Sequence, residues 1–166
     1  PKLADLRDRL YHEAHASDQP AGRLAPGVAA RVGLPAGIPV AVGAFDAHHG
    51  AVGAGIRPGR LVKILGTSTC DILVAPRGAE VPDIPGVCGI VKGSVLPGQV
   101  ALEAGQSAVG DIFKWYAETL CPASCAQGNP YATLEREAAR LRPGASGLVA
   151  LDWNNGNRTI LVNPLL

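Results

Sequence analysis

The protein has 166 residues, enough for one domain of ordinary size or a piece of a larger chain. Lys and Arg (15) nearly balance Asp and Glu (14), leaving a net charge of +1 and no clustered basic surplus, so no nucleic-acid partner is expected. With 47% hydrophobic and 17% charged residues the chain can bury a core, while 21 Gly and 14 Pro favour many turns and a loop-built small-molecule site over a helical bundle.

Leucines at 3, 6 and 10 form a helical stripe that predicts a helix continuing to about His15, broken by Ser17-Asp18-Gln19-Pro20. A short helix is expected over 26–32, with Pro26 in its first turn and Gly33 at its end. The run 38–45 is almost uniformly apolar and predicts a strand buried on both faces. Asp46 ends that strand and opens a small-residue segment, 47–55, in which alanines favour helix and glycines permit tight packing. Arg57-Pro58-Gly59-Arg60 is a break and a candidate domain boundary.

Residues 61–65 and 70–75 predict a β-hairpin around Gly66-Thr67-Ser68-Thr69, a turn that is small and rich in hydroxyls. After a loop over 77–85, residues 87–91 and 95–102 predict a second strand pair turning at Lys92-Gly93-Ser94. A helix is expected through Leu120 with Val109, Ile112, Phe113 and Tyr116 on one face, then a loop over 121–130. An amphipathic helix over 131–141 follows, stopped by Arg142-Pro143-Gly144. Residues 147–151 predict a strand, and 152–158 a polar loop. The sequence opens inside a helical pattern and stops without a terminal element, as an excised piece would.

No apolar run is long enough to cross a membrane and no leader pattern opens the sequence, so the expected location is the cytoplasm, with no membrane partner. The four cysteines, Cys70, Cys88, Cys121 and Cys125, are irregularly spaced and predict free thiols rather than a disulfide framework. Cys121 and Cys125 lack a second ligand pair for zinc, and the adjacent His48 and His49 point to different helix faces, so no metal site is expected.

Three positions carry candidate chemistry. Asp46 follows an apolar strand, where α/β sheets place ligands, and a carboxylate there can take a proton from a hydroxyl; equally, Asp before a helix is a preferred N-cap. Gly66, Thr67 and Ser68 can aim backbone amides and hydroxyls at a phosphate, or simply form a hairpin turn. Glu103, between a strand and a helix, either lines the same crevice or complements the helix dipole. Lys63 and Lys114 read as solvated or snorkelling side chains, and no Walker-type loop occurs.

Together, Gly43-Ala44-Phe45-Asp46-Ala47-His48-His49-Gly50-Ala51-Val52-Gly53-Ala54-Gly55 and Leu65-Gly66-Thr67-Ser68-Thr69-Cys70-Asp71 resemble the FGGY carbohydrate kinases. Within the family, Leu102-Glu103-Ala104-Gly105-Gln106-Ser107-Ala108 and Leu151-Asp152-Trp153-Asn154-Asn155-Gly156-Asn157-Arg158 are similar to the L-ribulokinase subfamily. The resemblance implies an α/β, ribonuclease H-like fold of the actin and hexokinase type, with an active site in the cleft between two domains. Residues 1–57 would end the first domain and 58–166 begin the second, making this chain a partial fold inactive on its own.

It also implies ATP-dependent phosphorylation of a ketopentose, with magnesium held mainly by phosphates and by regions upstream. Asp46 would be the base and a sugar contact, and Gly66, Thr67 and Ser68 the loop holding the transferred phosphate. Glu103 would accept sugar hydroxyls. Gly110 and Lys114 align with residues near the nucleotide. The resemblance leaves a homodimeric parent open, and the same fold with the chemistry lost would be a sugar- or nucleotide-binding module.

Overall fold

The computed structural model describes residues 6, 8–11, 13–125 and 128–166. Two sheets organise it. A two-stranded antiparallel ribbon pairs β1 (Pro20–Arg23) with β2 (Pro39–Ala41), and the helix α1 (Pro26–Val32) lies between them in sequence. Pro26 opens α1, and Gly33 closes it in the left-handed conformation (φ 69°) that favours glycine, as its sequence predicts.

The second sheet has four antiparallel strands in the order β3 (Val62–Leu65), β4 (Thr69–Val74), β6 (Val100–Ala104), β5 (Gly89–Lys92). The helix α2 (Asp46–Gly53) packs against β3 and β4. Alternation sends Val62, Ile64, Cys70, Ile72, Val74 and Ala101 to one face, where they meet Ala47, Ala51 and Ile56. The core is small, and Ile72 is the only large apolar side chain among the described residues with essentially no exposure. In the ladder Ile72 stands opposite Glu103, and Gly89 opposite Glu103 from the other side. Period two therefore puts a carboxylate on the core face, beneath α2.

The hairpin β3–β4 forms as predicted, with Leu65 opposite Thr69 and a three-residue turn between them. Beyond β6 come α3 (Gly110–Trp115), a π-helical turn (Tyr116–Leu120) and α4 (Pro130–Ala138). Asn129 caps α4, its side chain accepting from the amides of Tyr131 (3.0 Å) and Ala132 (3.3 Å), with Pro130 at the first helical position.

Several expectations are corrected. The predicted N-terminal helix falls partly on residues outside the described ones; residues 8–11 and 13–16 form turns and irregular chain, so it does not reach His15. The run 38–45 gives only the three-residue, exposed β2, because Pro39 removes a ladder donor and none of the described residues buries either face. The strand expected at 95–102 begins at Val100: residues 93–99 form the connection, with Pro97 in its middle, and β6 continues to Ala104. The helix through Leu120 changes to π geometry after Trp115, and Phe113 and Tyr116 on its supposed buried face are exposed. The helix over 131–141 ends three residues early, at Ala138. Residues 147–151 carry no regular structure and pair with no strand among the described residues, with Leu148 and Val149 almost fully exposed, so apolar composition there does not make a strand.

The accessible surface is 12439 Å², where a compact folded chain of this mass exposes about 7,700 Å². The exposed surface includes the large apolar side chains of Phe113, Trp115, Leu148, Val149, Leu151 and Ile160. Surface of this kind is what a packed neighbour covers.

Two glycines are set by close approach. A Cβ on Gly105 would lie 2.1 Å from the Thr69 carbonyl oxygen, and one on Gly110 2.6 Å from that of Gly66. Replacing either by Ala in the full-length protein is expected to cost about 2 kcal/mol or more, the larger loss at Gly105. Chemical denaturation curves indistinguishable from the parent would show that these approaches are not tight.

Candidate active site

A cavity of about 420 Å³ opens between the start of α2, the turn 66–68 and the ends of β4 and β6. It brings together five residues singled out from sequence, Asp46, Gly66, Thr67, Ser68 and Glu103, although they lie up to 57 positions apart. Three more, His48, Cys70 and Arg158, share it and were given no role by the sequence reading.

Asp46 is the first residue of α2; Phe45, not Asp46, is its N-cap, so the capping alternative is corrected. The Ala47 amide donates to Asp46 Oδ1 at 2.8 Å, which fixes one carboxylate oxygen at the cavity wall. The acidic group in the first helical turn lies at the favourable end of the helix dipole, and a carboxylate there has the chemistry to accept a proton from a bound hydroxyl.

The turn 66–68 is moored by its carbonyls. The Val109 amide donates to the Thr67 oxygen (2.8 Å), and the Gly110 amide donates to the oxygens of both Gly66 and Thr67 (3.1 Å each). The Gly66 amide is itself spent on the Ser68 carbonyl (3.0 Å). Among the described residues this leaves the amides of Thr67 and Ser68 and both hydroxyls unpaired at the cavity edge. A turn with its acceptors committed and its donors free suits an anion.

Gly110 thus supports the turn from below, its missing side chain allowing the contact, and does not line the cavity. Lys114 is exposed on α3 and stands outside the cavity. The structure therefore does not bring these two sequence-predicted residues together with Asp46 and Glu103.

Glu103 is held by three donors from three parts of the chain. His48 Nε2 donates to Oε2 at 3.0 Å, Cys70 Sγ to Oε1 at 3.0 Å, and Arg158 pairs with Oε1. Burial opposes its ionisation, but the hydrogen bonds from Cys70 and His48 and the charge of Arg158 outweigh it, holding the carboxyl below its ordinary 4.5. Burial, then the bond to Glu103 and its charge, push the Cys70 thiol up to about 11, so Cys70 is a neutral donor rather than a nucleophile.

Arg158 reaches the carboxylate from a loop pinned to the sheet end. The Gly105 amide donates to Thr159 Oγ1 (2.7 Å), the Ile160 amide to the Gly86 oxygen (2.9 Å), and Asn155 Nδ2 to Asp111 Oδ2 (2.8 Å). His48 and Arg158 were missed because their contacts join residues 55 apart, for which local spacing carries no signal. His48, Cys70 and Arg158 all lie inside the quoted motif segments, which was the available hint.

Residues 61–166 match the C-terminal domain of the FGGY family of carbohydrate kinases. The chain belongs to the FGGY family. Its fold is accordingly part of the ribonuclease H-like, actin and hexokinase type. A ribulokinase of Vibrio parahaemolyticus is 45% identical over 183 aligned positions, taking in 100% of this chain and 32% of that protein. A ribulokinase of Halalkalibacterium halodurans is 47% identical, over 88% of this chain and 27% of its own length. The crystal structure of a xylulose kinase from Rhodospirillum rubrum matches with a TM-score of 0.75 and 30% identity, covering 93% of this chain and 32% of that one. The FGGY chain described here thus spans about a third of the length of these relatives. Among its described residues no helix is long and apolar enough to cross a membrane.

The folded pKa of Glu103 lies below its unfolded value, so its ionised form stabilises the fold. That contribution is complete above about pH 4.5 and is lost as pH falls through the folded pKa. Glu103→Gln should flatten the acid limb of a stability-against-pH curve measured by denaturant titration between pH 3 and 6; parallel curves for the two proteins would contradict the carboxylate assignment. The same variant removes the negative charge facing Cys70, and alkylation of Cys70 by iodoacetamide at pH 8 should become faster, as read by mass spectrometry.

Proposed function

We propose that this chain carries the catalytic base and one phosphate loop of an ATP-dependent L-ribulokinase, which converts L-ribulose to L-ribulose 5-phosphate in arabinose breakdown. The observation that carries it is the convergence of Asp46, the donor-rich turn 66–68 and the ordered Glu103 on one cavity. The ribulokinase relatives support the substrate class. The family match beginning at residue 61 supports a domain boundary near 57/58, with Asp46 on one side of the cleft and the turn on the other.

In this reading Asp46 accepts the proton of the sugar's terminal hydroxyl as its oxygen attacks the γ-phosphate in line. The amides of Thr67 and Ser68 and their hydroxyls neutralise charge on the transferring group. Glu103, fixed in place, accepts a hydroxyl of the ketopentose. Gly110 acts through the turn it supports, and Lys114 lies near the nucleotide. The free donors of the turn fit the phosphates of ATP. Magnesium would arrive on those phosphates and neutralise them; the described residues hold no cluster of three or more metal-ligating side chains, and no step is routed through the ion.

The open apolar surface supports a working enzyme only within a longer chain, and its use of ATP on a free sugar fits the cytoplasm. The xylulose kinase neighbour favours D-xylulose as the competing sugar.

The test is ADP release by the full-length protein with magnesium-ATP across L-ribulose, D-ribulose, D-xylulose and glycerol. Release selective for L-ribulose is expected, and release with D-xylulose alone would replace the substrate. Sugar-dependent binding without ADP release would instead mark a binding module. Asp46→Asn should lower kcat by about 10²–10⁴ with nucleotide affinity unchanged; full turnover in that variant would remove Asp46 as the base.

A further inference from the structure

Helix α2 approaches the sheet through small residues. Ala51 is fully buried, Ala47 packs beside it, and a Cβ on Gly50 would meet Ile64 Cδ1 at 3.2 Å. Such contacts bring helix and sheet close but bury little area, and so do little to fix the rotation of the helix about its axis. One polar cross-link does. His48, 9% exposed, extends from α2 to Glu103 on β6, and the edge of its ring meets Phe45 at a centroid distance of 5.4 Å and an angle of 83°. Phe45, itself largely exposed, precedes Asp46 and His48 follows it by two residues, so the tie from His48 to Glu103 anchors the helical turn on which Asp46 stands.

The same contact limits what Glu103 can accept. An ionised carboxylate has about four lone-pair sites. Cys70 and Arg158 take the two on Oε1, and His48 takes one on Oε2. One acceptor site is left, on Oε2 beside the imidazole. Resting on the kinase reading above, we infer that His48 is a positioning residue: through Glu103 it aims Asp46 and reserves a single acceptor site for one hydroxyl of the ketopentose. The adjacent His49 is exposed and plays no such part.

The experiment is steady-state ADP release by the full-length protein with L-ribulose, comparing His48→Leu, His48→Asn, His48→Gln and His49→Leu. Leu cannot donate, Asn is too short to reach Glu103, and Gln carries an amide N–H at a reach close to that of Nε2. Expected for His48→Leu and His48→Asn are a rise of about tenfold in KM for the sugar and a comparable fall in kcat, the loss of one hydrogen bond to a charged group. KM for ATP should stay within about twofold. His48→Gln should recover most of the loss, and His49→Leu should behave as the parent.

Parent-like sugar KM in His48→Leu, or no difference between His48→Asn and His48→Gln, would overturn the inference. So would an ATP KM that moves in step with that of the sugar, which marks general damage. If His48→Leu fails to fold, the Asn and Gln pair still decides. A parent inactive on every ketopentose refutes the kinase reading and this inference together, whereas an active parent indifferent to His48 refutes this inference alone.

Discussion

A carboxylate placed on the core face of a sheet has to be paired, and Glu103 is paired three times. Left alone beside Ile72 it would cost several kcal/mol. Its partners come from the helix that carries Asp46, from the second strand of the hairpin and from a loop 55 residues downstream. The apolar core is too small to specify these approaches unaided, and its helix face is built of alanine and glycine. The polar knot supplies the direction that the apolar contacts lack. It brings Asp46, the donor-bearing turn and Glu103 itself to one cavity, and the same network keeps Glu103 ionised.

The turn beside it is organised by the opposite polarity. The carbonyls of Gly66 and Thr67 are consumed by the amides that open α3, and that of Ser68 by the Gly66 amide, which leaves the amides of Thr67 and Ser68 without a partner among the described residues. An excess of donors at one wall and of carboxylates at the other is the arrangement that phosphoryl transfer to a hydroxyl requires. Neither wall is unusual by itself; a hairpin turn and a helix-initial Asp are common. Their juxtaposition in a chain that belongs to the FGGY family gives them meaning.

Elements whose ends carry their own chemistry were legible in the sequence. Pro26 and Gly33 bracket α1, and the hydroxyl-rich turn separates β3 from β4; the Asn129-Pro130 start of α4, by contrast, was read as the end of a loop. Elements inferred from apolar content alone were not. Residues 38–45 and 147–151 have strand composition, yet a strand also needs a partner and a covered face, and the described residues supply little or none of either. At the site, Asp46, the turn and Glu103 were ambiguous one by one and became legible through linked motifs. His48 and Arg158 stayed hidden because nothing local marks a residue whose partner lies 55 positions away.

The mooring of the turn by backbone atoms also bears on how such a protein tolerates change. Alanine at Thr67 or Ser68 deletes a hydroxyl but leaves the amide where Val109 and Gly110 hold it. An alanine scan or a catalogue of natural variants would therefore score this turn as more permissive than its contribution warrants. The neighbouring Gly105 and Gly110, whose missing side chains admit a carbonyl oxygen, would score as intolerant. Only replacing an amide N–H by an ester oxygen, by semisynthesis or amber suppression, would expose what the peptide bonds themselves contribute.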